Sequence, residues 1–453
     1  MQRTLISELQ TRKGQEVTIN GWVNVRRDQG KMAFFDFRDR SGTVQGVVFG
    51  KPEVLEIAKE ARTESSVAIT GIVNERPEKM INDKVENGDI ELEITGIEIL
   101  NQSAELPFDL DAELSIEVAL DNRPLTLQRT KDRAVFRIQA GITQAYSEYL
   151  RQEGFTEFQA PKLVGGDAEG GAEVFKVEYF KDRHAYLATS PQLYKQIMVG
   201  VFERVFSLAT AFRAEKSATT RHLSEYTSLD MEMGFITDHH DIMRVETGLM
   251  KHIASHLHKN NAKDLKTLEM ELPLIPEVDM FPHMKLQDAL VLIDKKTGSS
   301  KVGAPDLEPE DERWLCEYAR EELGSDFIFI THYPISKRPF YTMEDDQDPG
   351  FTKSFDLLFR GVEITTGGQR VHDLEELKQR ATDKGLEPEK FAYYLQAFQY
   401  GIPPHGGWGM GLERLTAKFC GVKNVKEATL FPRDINRIDT LLSAAEEPQE
   451  DSE

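Results

Sequence analysis

Cysteine is nearly absent from this chain of 453 residues, in which only Cys316 and Cys420 occur. Two cysteines so far apart give neither the paired spacing of a zinc site nor the framework of a disulfide-stabilised fold. Such sparse cysteine suits a reducing compartment, and we therefore expect a cytoplasmic location.

Long apolar runs are missing as well. No stretch is long enough to span a bilayer, and the amino-terminal residues, which include Arg3 and Glu8, have no apolar signal region. We therefore expect no membrane partner. Hydrophobic residues still make up 40% of the chain, which is ordinary for a globular protein, and the length exceeds that of one domain.

Positive charge is scarce, and the formal net charge is −22 at pH 7. Taken alone, this balance argues against nucleic-acid binding, because phosphates are contacted by lysine and arginine. Part of the acidic excess lies in residues 439–453, which we predict to be a disordered tail. A basic cluster of Arg26, Arg27, Lys31 and Arg38 lies near the other end, so the distribution of charge decides more than its sum.

Two common nucleotide-binding signatures are also absent, since the chain has no Walker A sequence and no Rossmann glycine fingerprint. It has instead a charged run at residues 212–225, between apolar stretches at 201–211 and 229–236. This pattern predicts a strand, a charged loop and a second strand. Buried charge of that density is costly unless a ligand completes it, and a nucleoside triphosphate would do so.

Within residues 1–103, which we predict to be one domain, apolar and polar positions alternate in short runs over about 15–100, and turn signals at 28–30, 39–42 and 87–89 separate these runs. About five strands in so short a segment predict a small closed barrel of the oligonucleotide-binding (OB) type. One helix is predicted, over residues 52–61.

The rest of the chain has a different character. Residues 104–130 include Pro107 and alternating acidic residues, and we predict a linker there. Residues 131–438 mix strands with glycine turns, including a strand predicted at 155–163. Apolar residues at helical spacing recur over 131–152, 239–260 and 311–322.

Three further runs carry chemistry, at residues 190–196, 356–370 and 406–415. The loop around Arg213 resembles motif 2 of the class II aminoacyl-tRNA synthetases, residues 409–414 resemble motif 3, and Pro161 matches the proline of motif 1. The barrel, together with the segments 190–195, 363–370 and 403–407, narrows the resemblance to the aspartyl branch, in its archaeal and eukaryotic form. The resemblance covers about residues 15–437.

This resemblance implies an α+β fold, with an N-terminal OB-fold β-barrel and a class II synthetase antiparallel sheet flanked by helices. It implies a homodimer whose interface includes Pro161. It also implies an aspartate–tRNA ligase, which activates L-aspartate with ATP to aspartyl-adenylate and transfers it to the 3′ end of tRNA(Asp). Whether tRNA(Asn) is a second acceptor is left open.

Activation brings the carboxylate of aspartate against the α-phosphate of ATP, so the main catalytic need is to neutralise and align two anions. The resemblance assigns Arg213 to the α-phosphate and the substrate carboxylate, and Arg414 to the γ-phosphate. The other ATP-binding residues that it implies are Glu215, Arg221, His222, Leu223, Tyr226, Glu363 and Gly411.

Magnesium needs hard oxygen ligands, and the resemblance implies Asp356, Glu363 and Thr366 for this role. Asp356 and Glu363 are an odd number of residues apart, which would put them on opposite faces of one regular strand. We therefore predict a bend or turn near Gly361.

Lys195 and Arg370 are predicted to read the side-chain carboxylate of aspartate. Asparagine would leave these cations buried and partly unpaired, a penalty by which polar sites reject analogues by roughly 10⁴-fold or more. Asparaginyl relatives lack a lysine at the position of Lys195. The other aspartate-binding residues that the resemblance implies are Glu169, Ser190, Gln192, Arg213, Asp230 and Thr366.

In the barrel, Phe34 and Gln45 match the pair that stacks on and reads the middle anticodon base in relatives, and Arg26 and Arg27 would lie by the phosphates. Stacking of a base on an aromatic ring is worth ~1–3 kcal/mol.

Three alternative functions remain. An asparagine–tRNA ligase is disfavoured by Lys195. A non-catalytic RNA-binding paralogue is disfavoured because the predicted arginines and metal carboxylates are all present. An enzyme that joins aspartate and ammonia without tRNA is disfavoured by the barrel residues Phe34 and Gln45.

Overall fold

Two units make up the chain, one up to Ala112 and one from Glu113 onward. The structure is a computed structural model that describes residues 2–166, 173–217 and 219–442. Of the predicted features, Glu169 and residues 443–453 of the acidic tail lie outside the described residues. Among the described residues, no helix is both long enough and apolar enough to cross a membrane.

The first unit is a closed five-stranded barrel with the strand order β1-β2-β3-β5-β4. Alternate residues along each strand face inward, so that Val23, Phe35, Phe37 and Ile69 are buried in one apolar core. The predicted OB fold is thereby confirmed. Its elements are β1 (Glu16–Gln29), β2 (Met32–Arg38), β3 (Thr43–Phe49), α1 (Pro52–Glu60), β4 (Ser66–Glu75) and β5 (Ile90–Asn101).

The segment predicted to be a linker is helical in its second half, which belongs to the second unit. It forms α2 (Ile116–Asp121) and α3 (Arg123–Thr126). The buried Arg123 guanidinium donates hydrogen bonds to the carbonyl oxygens of Thr429 at 2.6 Å and Leu430 at 2.8 Å. These long-range bonds, invisible in the local sequence, fix residues that composition alone assigns to a linker.

The second unit contains an eight-stranded sheet, a small three-stranded sheet (β7-β9-β8) and the helices around them. In chain order its remaining elements are α4 (Thr130–Gln152), β6 (Thr156–Glu157), β7 (Leu163–Val164), β8 (Lys176–Tyr179), β9 (Arg183–Leu187), α5 (Gln192–Phe202), β10 (Arg204–Phe212), β11 (Glu225–Gly234), α6 (His239–Asn260), α7 (Ala262–Thr267), β12 (His283–Lys285), α8 (Leu286–Thr297), α9 (Pro309–Glu322), β13 (Phe327–Thr331), β14 (Ser354–Phe359), β15 (Val362–Arg370), α10 (Leu374–Asp383), α11 (Ala392–Gln399), β16 (His405–Gly411) and α12 (Leu412–Cys420).

The large sheet has the order β12-β13-β14-β15-β16-β11-β10-β6. Its six inner strands are antiparallel, as predicted, whereas β12 and β6 add to the two edges in parallel. Two boundaries differ from the prediction. The strand predicted at 155–163 is reduced to Thr156–Glu157. Residues 201–202 end helix α5, which terminates at Glu203 with a positive φ of 66°.

Helices α4 and α6 cover one face of this sheet. Ile142 of α4 and Ile253 of α6 share one apolar core with Met231 and Trp408 of the central strands. Helix α6 lies so close to β16 that the strand needs glycine at position 406, since a Cβ at Gly406 would lie 2.3 Å from Ile242 Cδ1 of α6. On the opposite face, α8 and α9 pack apolar residues against β13 and β14, and polar side chains occupy the part formed by β11, β15 and β16.

Glu246 of α6 is fully buried beneath the sheet. Burial, with the negative charge of Asp356 adding to it, raises the pKa of Glu246 to about 8. Because this folded-state pKa lies above the ordinary value, the folded protein keeps a proton that the unfolded chain releases. Stability therefore falls as the pH rises from about 4.5 to about 8.

We expect Glu246→Gln, which keeps the shape of the side chain, to raise the free energy of unfolding by a few kcal/mol at about pH 9 and to change it little at about pH 4. Urea unfolding at the two pH values measures both effects. Glu317→Gln, on the exposed face of α9, is the matched control and should alter neither value. An equal effect of Glu246→Gln at both pH values would contradict the assigned titration.

Candidate active site

A cavity of about 490 Å³ opens on the sheet face opposite α4 and α6. The charged loop between β10 and β11, strands β15 and β16, and the segments before α5 and at the start of α12 all reach it. The predicted residues that line it are Ser190, Gln192, Arg213, Glu215, Arg221, His222, Leu223, Tyr226, Asp230, Glu363, Thr366, Arg370, Gly411 and Arg414. Residues far apart in the sequence thus meet in one cavity.

The charged loop is the predicted strand–loop–strand unit. Strands β10 and β11 pair as far as Phe212 and Glu225, and the amide of Arg213 then donates to the Ser224 carbonyl at 2.9 Å. The Arg213 guanidinium carbon lies 5.8 Å from the centre of the Tyr226 ring, so a cation and an aromatic face stand side by side in the cavity.

Arg221, at the far end of the loop, is held by residues outside it. Its guanidinium donates to Glu312 Oε2 at 2.8 Å and lies 3.4 Å from the carbonyl oxygen of Gly361. Glu312 comes from α9, and burial raises the pKa of its carboxyl although Arg221 opposes the shift. The ring of His222 shares a hydrogen bond with the Thr219 hydroxyl at 2.7 Å.

The predicted metal ligands lie on the hairpin of β14 and β15. Arg360 and Gly361 form its turn with φ values of 46° and 80°, so the predicted turn near Gly361 is present. Asp356 lies opposite Thr366, and a bulge beside Leu357 turns Glu363 to the same face. The Thr366 hydroxyl donates to Glu363 Oε1 at 2.7 Å.

Asp356 is buried and lies beneath the cavity rather than on its wall. The guanidinium of Arg338 donates to Asp356 Oδ2 at 2.8 Å. Burial raises the pKa of Asp356 to about 6, the Arg338 charge opposes this shift, and the Glu363 charge adds to it. Sequence reasoning missed Arg338, which lies in an irregular segment without a recognisable motif.

Lys195 and Arg370 lie in one buried network with two carboxylates. Lys195, with no exposed surface, places Nζ at 2.7 Å from Asp230 Oδ1, 2.7 Å from the Trp408 carbonyl and 3.5 Å from Glu232 Oε2. Arg370 Nε donates to Glu232 Oε1 at 2.8 Å. Burial alone would raise the pKa of Glu232, but Arg370 and Lys195 outweigh it and lower that pKa.

This geometry pairs Lys195 with Asp230, two residues predicted to meet different groups of the substrate. Asp230 lines the cavity, and Lys195 lies behind it. Sequence reasoning missed Glu232, although acidic and methionine residues alternate at 230–233 on β11. With methionine in the core, that period of two places both carboxylates on the polar face.

Arg414 and Glu413 open α12 next to the glycine-rich strand. Arg414 donates to the Glu363 carbonyl oxygen at 2.8 Å, which fixes its guanidinium beside the predicted metal ligands. The Glu413 carboxylate accepts from the Thr227 amide at 3.0 and 3.1 Å. Burial raises the pKa of Glu413 to about 7.

The barrel carries the second predicted site. Arg27 pairs with Phe34 across β1 and β2, Asp36 pairs with Gln45 across β2 and β3, and these four side chains share the outer face. Arg27 donates to both Asp36 carboxylate oxygens, at 3.0 and 3.1 Å.

Arg26, the other arginine predicted to lie by the phosphates, lies apart from this set. Its neighbour Arg27 faces outward, and successive residues of a strand point to opposite faces. The Arg26 guanidinium donates instead to the carbonyl oxygens of Lys59 and Ala61 at the end of α1, the latter at 3.1 Å.

Pro161 is exposed in the segment that joins β6 to β7. Strand β6 forms one edge of the large sheet, and Leu163 exposes 48% of its surface nearby. Glu169 lies outside the described residues.

Comparison with family models gives two matches that together span most of the chain. A model described as class II tRNA synthetases (D, K and N) matches residues 115–435. A model described as an OB-fold nucleic acid binding domain matches residues 17–100.

Several curated proteins are similar along their whole length. The aspartate–tRNA(Asp/Asn) ligases of Deinococcus radiodurans and Thermus thermophilus are 42% and 43% identical, over 97% and 96% of this chain and 99% of each relative. The aspartate–tRNA(Asp) ligase of Thermoplasma volcanium is 39% identical over 97% of this chain and 100% of its own length.

Solved structures of two specificities share the fold. An asparaginyl-tRNA synthetase from Pyrococcus horikoshii, complexed with asparaginyl-adenylate, has a TM-score of 0.88 at 32% identity and covers 97% of this chain and 99% of its own. The aspartyl-tRNA synthetase of Entamoeba histolytica has a TM-score of 0.86 at 31% identity, covering 97% and 93%. Backbone similarity alone therefore does not separate the two amino acids.

Proposed function

The chain belongs to the class II tRNA synthetases (D, K and N), and from this membership we propose that it is an aspartate–tRNA ligase. Aspartate and ATP give aspartyl-adenylate and pyrophosphate, and the aspartyl group then passes to the terminal adenosine of tRNA(Asp) with release of AMP. The observation that supports aspartate as the amino-acid substrate is the buried network of Lys195, Arg370, Asp230 and Glu232.

This network is electrically balanced, with two cations and two carboxylates out of contact with bulk water. Asp230 and Arg370 both reach the cavity, so the first can accept the ammonium group of the substrate and the second can donate to its side-chain carboxylate. Lys195 does not line the cavity itself, but it pairs with Asp230 at the same end of it. With Asp230 paired to the substrate ammonium, Lys195, Arg370 and Glu232 together carry one net positive charge. The side-chain carboxylate of aspartate balances this charge, and the uncharged amide of asparagine does not.

ATP would occupy the part of the cavity around the charged loop. Tyr226 offers an aromatic face for the adenine, and Glu215 offers an acceptor for its amino group. Arg213 and Arg414 then meet the phosphates from two sides. Both guanidinium groups are restrained by protein contacts before any ligand arrives, which favours stabilisation of developing charge.

Magnesium fits the donor set on the β14–β15 hairpin. Asp356 Oδ1 is buried and has no hydrogen-bond partner among the residues that the structure describes. With Glu363 and the Thr366 hydroxyl, this gives hard oxygen donors of the kind that Mg²⁺ prefers. Asp356, Glu363 and Thr366 would hold the ion, which when bound would neutralise charge on the ATP phosphates.

Binding of tRNA is proposed to use the outer face of the barrel around Phe34. We expect Phe34→Ala to raise the KM for tRNA by about 5- to 150-fold, because base stacking on an aromatic ring is worth ~1–3 kcal/mol. Aspartate-dependent pyrophosphate exchange, which needs no tRNA, should be unchanged.

Leu100→Ala is the matched control for this prediction, since Leu100 lies on β5, which does not pair with β1 or β2, and has 52% of its surface exposed. Aminoacylation kinetics at varied tRNA concentration measure both variants. An unchanged tRNA KM in Phe34→Ala would remove Phe34 from the proposed anticodon contacts.

A second acceptor, tRNA(Asn), is favoured by the names of the relatives. Those from Deinococcus radiodurans, Thermus thermophilus and Archaeoglobus fulgidus, at 40–43% identity, are all aspartate–tRNA(Asp/Asn) ligases. Aspartate charging of the two tRNA transcripts at matched concentration tests this. Comparable charging supports the second acceptor, and charging of tRNA(Asp) alone contradicts it.

The proposal extends to a cytoplasmic homodimer. The β6 edge, the exposed Pro161 and the exposed Leu163 offer an apolar surface to a second copy. Sedimentation equilibrium should give a mass of twice the 51.5 kDa of one chain. The double substitution of Pro161→Asp and Leu163→Asp should lower the measured mass to that of one chain. A monomeric native protein at micromolar concentration would contradict this arrangement.

A further inference from the structure

Four histidines, none of which lines the cavity, gather at one end of the large sheet. His239 and His240 begin α6, His283 begins β12, and His332 follows β13. The ring centres of His239 and His240 are 4.2 Å apart, those of His240 and His283 are 5.5 Å apart, and those of His239 and His332 are 5.4 Å apart. Aminoacylation as described above uses none of them.

Asp238, His239 and His240 present one ligand atom each, and these three atoms lie within 4.8 Å of one another. Asp238 Oδ1 is 3.2 Å from His240 Nδ1. A tetrahedral ion with bonds of about 2.0–2.1 Å holds its ligand atoms about 3.3 Å apart. One pair already has this spacing, and the third ligand atom lies within 4.8 Å of both.

His239 gives an independent reason to expect a ligand. Its side chain is nearly inaccessible, with a residue exposure of 3%, and neither ring nitrogen has a hydrogen-bond partner within the described part of the chain. A buried polar group without a partner is costly and needs an explanation. Burial lowers the pKa of His239 to about 3, and the charges of His240 and His332 act in the same direction. A metal ion held by one of the ring nitrogens would supply the missing partner.

The two remaining histidines differ in what they offer. His332 already uses both ring nitrogens in hydrogen bonds, with the Thr331 hydroxyl at 2.8 Å and Asp345 Oδ2 at 3.0 Å. It therefore has no nitrogen left for a metal ion, and its ring packs against that of His239. His283 faces His240 from an exposed position, with the two ring centres 5.5 Å apart.

We propose that Asp238, His239 and His240, with His283 as the fourth ligand, bind a divalent transition-metal ion, and that this ion is Zn²⁺. Three imidazoles and one carboxylate suit zinc in tetrahedral geometry, whereas Mg²⁺ prefers oxygen ligands. The nearby Lys353 opposes a cation, and the carboxylates of Asp238 and Asp345 offset it. The ion would tie the first turn of α6 to β12 and so stabilise the fold.

The test uses the full chain without a polyhistidine tag, stripped of metal by a chelator and then desalted. Titration with Co²⁺ is followed by visible absorption, because tetrahedral cobalt absorbs much more strongly than cobalt on an octahedral oxygen site. We expect a strong band that saturates at one ion per chain and that Zn²⁺ abolishes by displacement. Elemental analysis should then find one zinc, and the melting temperature should rise.

Substitutions assign the ligands. His240→Gln, at a partly exposed position, and His283→Gln should each weaken metal binding by at least about tenfold. His258→Gln, exposed at the other end of α6, and Glu363→Gln, at the proposed magnesium site, should keep the strong band. Circular dichroism and aspartate-dependent pyrophosphate exchange of the two histidine variants should match those of the native protein.

The absence of a strong cobalt band in the native protein would overturn the proposed site. So would full affinity in both His240→Gln and His283→Gln. Either result leaves aspartate activation untouched, and a native protein that binds zinc but activates no aspartate would overturn the proposed function alone.

Discussion

Replacing Arg213 with alanine is expected to slow aspartate-dependent pyrophosphate exchange by about 10³-fold, the scale measured when one donor to a developing anion is lost. Arg213 is the cavity cation that stands beside the aromatic face of Tyr226, where two anions must meet. Charge neutralisation is the main task of this reaction, so the loss should fall mostly on kcat rather than on the KM for ATP.

Two further variants make this result specific. Arg213→Lys keeps the charge but not the planar fork, and it should recover only part of the rate. Lys216→Ala removes a cation from the same loop, but the lysine side chain is 83% exposed, and the rate should stay within a factor of about two. Pyrophosphate exchange in Arg213→Ala within about tenfold of the native rate would contradict the role given to this arginine.

The second large effect is expected at Lys195. Lys195→Leu should reduce kcat/KM for aspartate by roughly 10³- to 10⁴-fold, while ATP binding changes by no more than about threefold. The substitution removes the cation that holds Asp230 at 2.7 Å and leaves Glu232 with Arg370 alone. The preference for aspartate over asparagine should fall with it.

An unpaired buried carboxylate also destabilises the fold, so the experiment must separate stability from recognition. Thermal unfolding gives the temperature range in which Lys195→Leu is folded, and kinetics are compared within it. Lys337→Leu is the matched control, because Lys337 lines the cavity but is half-exposed and outside the buried network. Normal aspartate activation by Lys195→Leu would contradict the assignment of specificity to this network.

Much of the fold follows from local periodicity. Helices α4, α6 and α9 begin and end within two residues of the predicted positions, because each must bury an apolar stripe that is visible in the sequence. The barrel was predictable because the residues that face its core alternate along each strand with residues that face outward. The segment 113–130 was not predictable, since Arg123 takes its partners about 300 residues further along the chain.

Some residues of the candidate active site could likewise be predicted from the local sequence, and others could not. Residues within recognisable runs, such as Arg213 and Glu363, were predictable, and the structure brings them to one cavity. Glu232, Glu312 and Arg338 were missed because each acts through a partner distant in the sequence. Only a period of two along β11 could have indicated Glu232.

Arg26 and Arg27 are neighbours in the sequence, but their side chains lie on different faces of β1. Adjacent basic residues look like one patch in the sequence, yet a strand sends them to opposite faces, so only Arg27 joins Phe34 on the outer face. The period-two rule that predicted the barrel already separates these two residues.

The measurement that tests the account most directly is pyrophosphate exchange with aspartate, asparagine and lysine, each offered alone at the same concentration. These are the three amino acids of the family to which the chain belongs. The account predicts exchange with aspartate and a rate roughly 10⁴-fold lower with asparagine, because the one positive charge left over when Asp230 binds the substrate ammonium would have no anion. Exchange with asparagine at a rate comparable to that with aspartate would contradict it.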